Sequence, residues 1–425
     1  MRLVILNQFF YPDHSATSQL MTELAESLVE RGLFVTALAG RGRYNGGDKL
    51  SRRDVYRGVR IARAWATSFG KSTTVGRILD YLSFYIGATW TLLRLPAHDA
   101  IMSLTTPPLI GVVALLIGRL RGMRVIMLVQ DVYPDIAVAL GALRPSSPMT
   151  RLLAWISGQM LKKSDRIVVL SDCMRRRILE RIGSDQASRI DVIHNWADGA
   201  DICPVADSNN PFVNENNLSG AFVVLFSGNF GRVNEFSTVL EAARLLRNRP
   251  EIVFLFIGGG ARENEIREFS RSHGLENIKV LPYQPKDRLR YSLAAGDALL
   301  VTVADGLAGL CVPSKTYAIM AAGKPLLFVG DTDSDIARLI SDHNCGAVVP
   351  AGEGYRLMEV ITRWSESRSE LQQLGSSARS LFEERFSREQ AVKYYLESLA
   401  KCYSLESTSN IVPQQRDTAI KDTAS

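Results

Sequence analysis

The sequence predicts an α/β protein: two doubly wound, Rossmann-like domains in tandem, facing a cleft. Three observations carry this. Short β-branched or aliphatic runs alternate with longer helical patterns along most of the chain. The alternation halts in a polar stretch rich in Asn, Ser and Pro, from Pro204 to Gly220, and then restarts. The 425 residues exceed one comfortable hydrophobic core and suit two units of about 200 residues each.

In the first half, Leu3–Leu6 reads as a buried strand. From Ser18 to Arg31 the residues Leu20, Met21, Leu24, Leu28 and Val29 recur at helical spacing, and Gly32 ends the pattern. Phe34–Ala39 and Ala100–Leu104 are strands, Pro107-Pro108 opens a helix to Leu120, and Val125–Val129 is a strand. Met149–Lys163 is a helix, Arg166–Leu170 a strand, Cys173–Ile182 a helix and Ile190–Ile193 a strand. Past the polar stretch, the strands are Phe222–Ser227, Ile252–Ile257, Ile278–Leu281, Ala298–Val303, Pro325–Val329 and Ala347–Val349. Helices over Glu235–Asn248, Arg262–His273, Lys286–Ala294, Ser314–Ala322 and Ser334–Asp342 lie between them. Glu370–Leu399 divides into two helical segments near Phe386-Ser387. The domains are thus expected at 1–203 and 204–385, with a helix over 386–403 and a polar, aperiodic, disordered tail over 404–425.

Composition narrows the function. Hydrophobic residues make up 46% and charged residues 22%, which excludes disordered and fibrous classes. The five cysteines, Cys173, Cys203, Cys311, Cys345 and Cys402, lack CxxC spacing, so a reducing cytoplasm is expected and a disulfide framework is not. The net charge of +6 is uneven: residues 1–205 hold 26 Lys and Arg against 17 Asp and Glu, the remainder 24 against 27. A basic first half points to an anionic partner or a solvated basic face. The apolar runs at the N-terminus, Tyr81–Leu93 and Leu109–Gly118 fall short of a signal-peptide core or of the ~20 residues of a spanning helix. The segment Ser72–Leu95 joins Tyr81, Phe84, Tyr85 and Trp90 to Arg52, Arg53, Arg57, Arg60, Arg63, Lys71 and Arg77. It reads as an interfacial helix or as a core helix under a basic loop.

Three segments imitate nucleotide or metal motifs. Gly70-Lys71-Ser72-Thr73 resembles the end of a P-loop, but Trp65 stands where its first Gly is needed. Asp331-Thr332-Asp333-Ser334-Asp335 resembles a metal-holding carboxylate pair. Its place between a strand and a helix instead predicts N-terminal capping, and no metal is expected. Gly258-Gly259-Gly260 is not a GxGxxG fingerprint, yet it is a tight strand-to-helix turn where backbone can approach a ligand.

The second domain offers a stronger set. Ser227-Gly228-Asn229-Phe230-Gly231-Arg232 leaves one strand through two glycines and delivers a guanidinium. Gly258 and Gly259 leave the next. Pro313-Ser314-Lys315-Thr316-Tyr317 opens a helix, with Pro313 near its start and Ser314 as its cap. A diphosphate at such strand and helix ends meets backbone N–H groups, Arg232 and Lys315.

With Phe9-Phe10-Tyr11-Pro12, Gln130-Asp131-Val132-Tyr133-Pro134-Asp135, Val192-Ile193-His194-Asn195 and Met320-Ala321-Ala322-Gly323-Lys324-Pro325, these segments run in order over residues 1 to about 400. The chain resembles the retaining nucleotide-sugar glycosyltransferases of family four, with the GT-B fold. Within them it is similar to bacterial polysaccharide enzymes of the colanic-acid and fucosamine-transferase type. The resemblance implies a nucleotide-diphosphate sugar as co-substrate in the second domain, no cofactor, and an acceptor in the first domain. It assigns Lys315 and Arg232 to the leaving diphosphate, and the loop of Pro282-Tyr283 to the base. The turn Ser15-Ala16-Thr17, through Ser15 and Thr17, faces the diphosphate, and the helix from Arg388 to Tyr403 crosses back onto the first domain. Leu310 and Ala318 stand where many relatives carry two Glu, Gln130 where many carry His, and a Lys shortly after Arg232 is missing. Asp131 and Asp305 are candidate substitutes for the carboxylates, Lys315 for the lysine.

The expected reaction cleaves the C1–O bond of the sugar diphosphate, with fixed cations stabilising the leaving charge. Retention follows from the resemblance. The expected acceptor is a polyprenyl-diphosphate-linked saccharide at the inner leaflet of the cytoplasmic membrane, with the protein peripheral to that surface and no nucleic-acid partner. The competing readings are a catalytically silent nucleotide-sugar-binding subunit and a nucleotide-sugar epimerase.

Overall fold

The structure is a computed structural model, and it describes residues 1–13, 15–43, 48–69, 74–206 and 210–403. The P-loop imitation at 70–73 and the tail 404–425 lie outside the described residues.

The first domain runs β1 (Arg2–Leu6), α1 (Ala16–Glu30), β2 (Phe34–Gly40), β3 (Arg53–Tyr56), β4 (Val59–Ala64), α2 (Thr74–Arg94), β5 (Ala100–Leu104), α3 (Gly111–Leu120), β6 (Arg124–Val129), α4 (Asp135–Ala139), α5 (Pro148–Lys163), β7 (Arg166–Val169), α6 (Asp172–Ile182) and β8 (Ile190–Val192). Its sheet has the order β3-β4-β2-β1-β5-β6-β7-β8, parallel throughout except for β3. The central strands are buried on both faces, which explains their near-continuous aliphatic sequences.

The second domain runs α7 (Pro211–Glu215), β9 (Phe222–Asn229), α8 (Ser237–Leu245), β10 (Ile252–Gly259), α9 (Glu263–Ser272), β11 (Ile278–Leu281), α10 (Leu289–Ala294), β12 (Ala298–Thr302), α11 (Lys315–Ala321), β13 (Leu326–Val329), α12 (Asp335–His343), β14 (Gly346–Val349), α13 (Gly354–Glu366), α14 (Arg368–Leu381) and α15 (Arg388–Lys401). Its six strands are all parallel, in the order β11-β10-β9-β12-β13-β14. Under β9 and β10, Phe226, Phe230, Phe236 and Phe256 pack edge-to-face or tilted, with centroids 4.9 to 6.3 Å apart. These bulky rings fix the strand ends that open onto the cleft.

The expected alternation of strand and helix is present in both halves. One expectation fails. The basic stretch Arg52–Arg63 is a β-hairpin, β3 with β4, and not a loop. Arg57 and Gly58 form its turn with φ of 46° and 81°, the left-handed pair that a tight two-residue hairpin demands. Arg63 is buried there and donates to the Tyr11 carbonyl at 2.7 Å, so this arginine serves packing of the Phe9–Pro12 segment. The segment that follows is one helix, α2, and among the described residues no helix is long and apolar enough to cross a membrane.

Helix α15 lies against α1 of the first domain. Arg388 donates to Ser27 Oγ and to the Glu23 carbonyl, both at 2.8 Å, and Ser398 and Lys401 reach Asp191 at 2.7 and 3.1 Å. Two further links cross between the domains. The Val132 N–H donates to the Leu310 carbonyl at 2.8 Å beside an Asp131–Cys311 bridge. The Cys173 N–H at the start of α6 donates to Asp335 at 3.1 Å. Because β6 ends at Val129 and the loop of Leu310 follows β12, the carboxyl ends of the two sheets face each other. Ligands of open α/β sheets bind at such edges.

Candidate functional site

The register of β9 against β10 sets Gly228 opposite Gly258 and Asn229 opposite Gly259. A Cβ on Gly258 would lie 1.9 Å from the Gly228 carbonyl oxygen, and the φ of 142° at Gly258 suits glycine alone. Two strand ends thus leave the sheet backbone to backbone, without side chains between them. Tyr283 is exposed beside them, its hydroxyl donating to the Gly259 carbonyl at 3.0 Å.

Lys315, the first residue of α11, reaches this turn. Its Nζ lies 3.8 Å from where a Gly228 Cβ would sit and 3.4 Å above the centre of the Phe226 ring. It donates to Asn234 Oδ1 at 3.4 Å. Burial pushes its pKa down to about 7. Among the described residues no carboxylate forms an ion pair with it, so the ammonium is desolvated without a counter-charge. Such a position is costly when empty and favours an incoming anion.

Asn234 was not singled out by the sequence, yet it joins the two halves of the candidate site. Its Oδ1 receives Lys315, and its Nδ2 donates to the carbonyls of Asn229 at 3.0 Å and Gly231 at 3.2 Å. Arg232 lies within the loop so clamped and is exposed. The only available signal was an Asn in a glycine-rich strand exit, which ordinarily reads as turn chemistry.

The opening of α11 differs from expectation. Ser314 has helical dihedral angles and makes no side-chain cap bond. Pro313 and Ser314 are half-buried, and their carbonyls accept the N–H groups of Thr316 and Tyr317 at 3.2 and 3.3 Å. Two amides assigned to an anion are therefore engaged locally, and α11 has only seven residues to build a dipole. Tyr317 is 3% exposed with its ring 5.2 Å from Phe386. It belongs to the core, and the structure does not bring it to the Gly228 turn. The run at 331–335 caps α12 as expected, through Ser334, which accepts from the Ala337 N–H; Asp335, in the first turn, also receives the Cys173 N–H from the first domain.

On the first domain, Asp131 follows β6 and abuts Cys311. Burial raises its carboxyl to about 6, and burial with Asp131 nearby raises the Cys311 thiol to about 12. The hydroxyl of Thr105 accepts the N–H groups of Gln130 and Asp131 at 3.2 and 3.4 Å. Gln130 is 6% exposed and its Nε2 has no hydrogen-bond partner among the described residues, a buried donor beside the interdomain seam. Leu310 is buried and Ala318 half-buried, so apolar groups fill both positions, and Asp305 is exposed in the turn after β12. Ser15 and Thr17 lie at the first turn of α1. The Ser15 N–H donates to Asp13 at 2.9 Å, while its buried hydroxyl has no partner among the described residues.

Comparison with known proteins agrees with this layout. Residues 16–196 match the glycosyl transferase 4-like domain and residues 209–381 match glycosyl transferases group 1. WbjE of Pseudomonas aeruginosa, described as a probable glycosyltransferase, is 31% identical over 289 residues, 68% of this chain and 71% of its own. WcaI of Escherichia coli K12, named for colanic acid biosynthesis and glycosyl transfer, is 23% identical over 80% of this chain and 86% of its own. The Anabaena protein HepE, solved in complex with UDP and glucose, superposes with a TM-score of 0.71 at 14% identity, covering 94% of this chain and all of its own. Two Rossmann-like sheets with opposed carboxyl edges, matched along both halves by these domains, make this chain a member of the group 1 glycosyltransferases, with their GT-B architecture.

Proposed function

We propose that the protein moves a sugar from a nucleotide-diphosphate sugar to a polyprenyl-diphosphate-linked saccharide at the inner face of the cytoplasmic membrane, with retention, in bacterial surface polysaccharide synthesis. The observation that carries the reading is the desolvated ammonium of Lys315, held against the Gly228 turn with no carboxylate partner among the described residues. A pyrophosphate is the complementary ligand, and the UDP bound by HepE is of that class.

The sugar C1–O bond to the β-phosphate breaks as the acceptor oxygen bonds to C1, and the acceptor proton passes to the departing phosphate oxygen. Lys315 and Arg232 stabilise the growing phosphate charge, Gly228, Asn229, Gly258 and Gly259 let backbone approach the diphosphate, and Tyr283 borders the base. Asp131 and Gln130 face the sugar from the first domain, where a carboxyl raised towards 6 stays ionised at neutral pH. These cations take the place of a metal ion in the reading. One pre-aimed donor is worth about 2.7–4 kcal/mol, so removing Lys315 or Arg232 lowers turnover about 100-fold or more.

The test is a donor screen by mass spectrometry with lipid-linked mono- and disaccharides as acceptors. Transfer with loss of nucleoside diphosphate supports the reading. Donor binding without transfer or hydrolysis identifies a silent subunit, and an epimerised donor still carrying its nucleotide identifies an epimerase.

A further inference from the structure

Twelve of the twenty exposed large apolar side chains among the described residues sit on three helices of the first domain, α2, α3 and α5. The three lie side by side on one face of the sheet: α2 covers β2 and β4, α3 covers β5 and β6, and α3 packs between the other two. Their inner residues, such as Phe84, Ala88, Leu92 and Ala114, are fully buried. Their outer residues are large and apolar where an ordinary surface helix is polar. Ile86 is 68% exposed and Trp90 56% on α2, Leu116 65% and Leu120 72% on α3, and Trp155 63% on α5. The C-terminal ends of α2 and α3 are tied together by Arg121, which donates to the Leu92 carbonyl at 2.6 Å. Trp90 and Leu120 therefore lie on adjacent helix ends of one side of the domain.

The charges on the three helices are almost all positive, with Asp99 and Asp165 beside Arg119 and Lys163 at one edge. The three helices carry Arg77, Arg94, Arg119, Arg151, Lys162 and Lys163 against a single acidic residue, Asp80. Asp80 is engaged inward, accepting from the Thr67 hydroxyl at 2.7 Å and the Phe69 N–H at 3.0 Å. Arg94 lies 3.8 Å over the Trp90 ring, so its apolar stem and its charge share one edge of the face.

We propose that the α2–α3–α5 face is a monotopic membrane-docking surface, inserting its apolar side chains among the acyl chains of an anionic bilayer while its arginines and lysines meet the phosphate headgroups. It deepens, and rests on, the reading that the acceptor is carried on a lipid. It places the contact on these helices: of the β3–β4 hairpin arginines, Arg63 is buried within the domain, while Arg53, Arg57 and Arg60 are exposed on a separate element. A second copy of the chain fits the same face less well, because six cations would oppose six across the interface. A bilayer supplies both apolar depth and negative charge.

The test is vesicle flotation of the full chain with phosphatidylethanolamine–phosphatidylglycerol and with phosphatidylcholine vesicles, alongside donor hydrolysis in vesicle-free solution. The expected result is capture by the anionic vesicles, weakened by salt. The triple variant Ile86→Gln, Trp90→Gln, Trp155→Gln is expected to lose about tenfold or more of that binding, with unchanged circular dichroism and unchanged donor hydrolysis. Reversing Arg94 and Arg119 to Glu, which leaves the apolar face intact, is expected to abolish the preference for anionic vesicles. The proposal is overturned if the wild-type chain fails to float, if the triple variant floats as well as wild type, or if its only change is conversion of a dimer to a monomer. Lost flotation with intact donor hydrolysis would leave the transferase reading standing; absent hydrolysis with intact flotation would do the reverse.

Discussion

If Lys315 is the receptor for a diphosphate, binding must change its protonation. In the free protein burial holds its pKa at about 7, below the ordinary lysine value of 10.5. At pH 8 about nine-tenths of the molecules therefore carry a neutral Lys315. A phosphate oxygen about 4 Å away, at an effective dielectric near 20, favours the ammonium by about 4 kcal/mol. That lifts the pKa by about three units, to roughly 10. Donor binding should then take up about 0.9 proton at pH 8 and about 0.1 at pH 6, and affinity should fall about tenfold per pH unit above 7. The assay is titration calorimetry with a nucleotide-diphosphate sugar in buffers of different ionisation enthalpy. Such a donor is a diphosphate diester, so its own phosphates do not titrate in this range. Uptake below about 0.2 proton at pH 8, or equal uptake in Lys315→Met, would falsify the assignment. The same shift has a stability sign. The folded pKa lies below the unfolded one, so the free protein gains stability as pH climbs from about 7 towards 10, and Lys315→Met should flatten that rise.

Other parts of the architecture make separate predictions. Asn234→Ala removes the acceptor of Lys315 and the clamp on Asn229 and Gly231; kcat should fall about tenfold, with the proton uptake at pH 8 altered, since a hydrogen bond to a charged group is worth about 1.5–3 kcal/mol. Gly258→Ala drives a methyl into the Gly228 carbonyl and should destabilise the protein by about 3 kcal/mol in chemical denaturation. Gly274→Ala, at a φ of 59° with open space around it, should cost only about 1–2 kcal/mol; equal losses would remove the argument for close strand exits. Arg388→Ala breaks the contacts of α15 to Ser27 and Glu23 and should cost about 2 kcal/mol, read as an earlier urea midpoint.

The fold was legible because its parallel strands are buried on both faces and therefore appear as aliphatic runs, as in Val223–Phe226 and Leu326–Val329. The hairpin β3–β4 escaped because its residues are charged and exposed: Arg53, Asp54 and Val55 lie at the sheet edge, where no burial pattern marks a strand. Its one local signal was the Arg57-Gly58 turn. In the candidate site, Lys315 and the two glycine turns stood out by residue type, since a strand exit through glycine has few structural reasons. Asn234 did not, because its role depends on register across 81 residues of sequence. Tyr317, in the segment that opens α11, illustrates the opposite case: it is buried in the core. An aromatic two residues beyond a site lysine looks like a ligand contact, but on a helix that spacing turns it through about 200° onto the core face.

The departures from the family pattern fit one physical scheme. At the two positions where the resemblance places carboxylates, Leu310 is buried and its carbonyl accepts from Val132, while Ala318 lies on α11 one turn after Lys315. With apolar groups at both positions, no carboxylate among the described residues compensates the Lys315 ammonium, and burial holds its pKa at about 7. Asp131, a carboxyl near the seam, comes from the other domain, forms no ion pair among the described residues, and is raised to about 6 by burial. The cation and the carboxyl are therefore split between the two lobes, which meet near them where β6 adjoins the loop of Cys311. Any opening of the cleft separates them. Restoring a carboxylate by Ala318→Glu should then raise the Lys315 pKa in the free protein and reduce proton uptake at pH 8, coupling the donor loop back to the arrangement of the relatives.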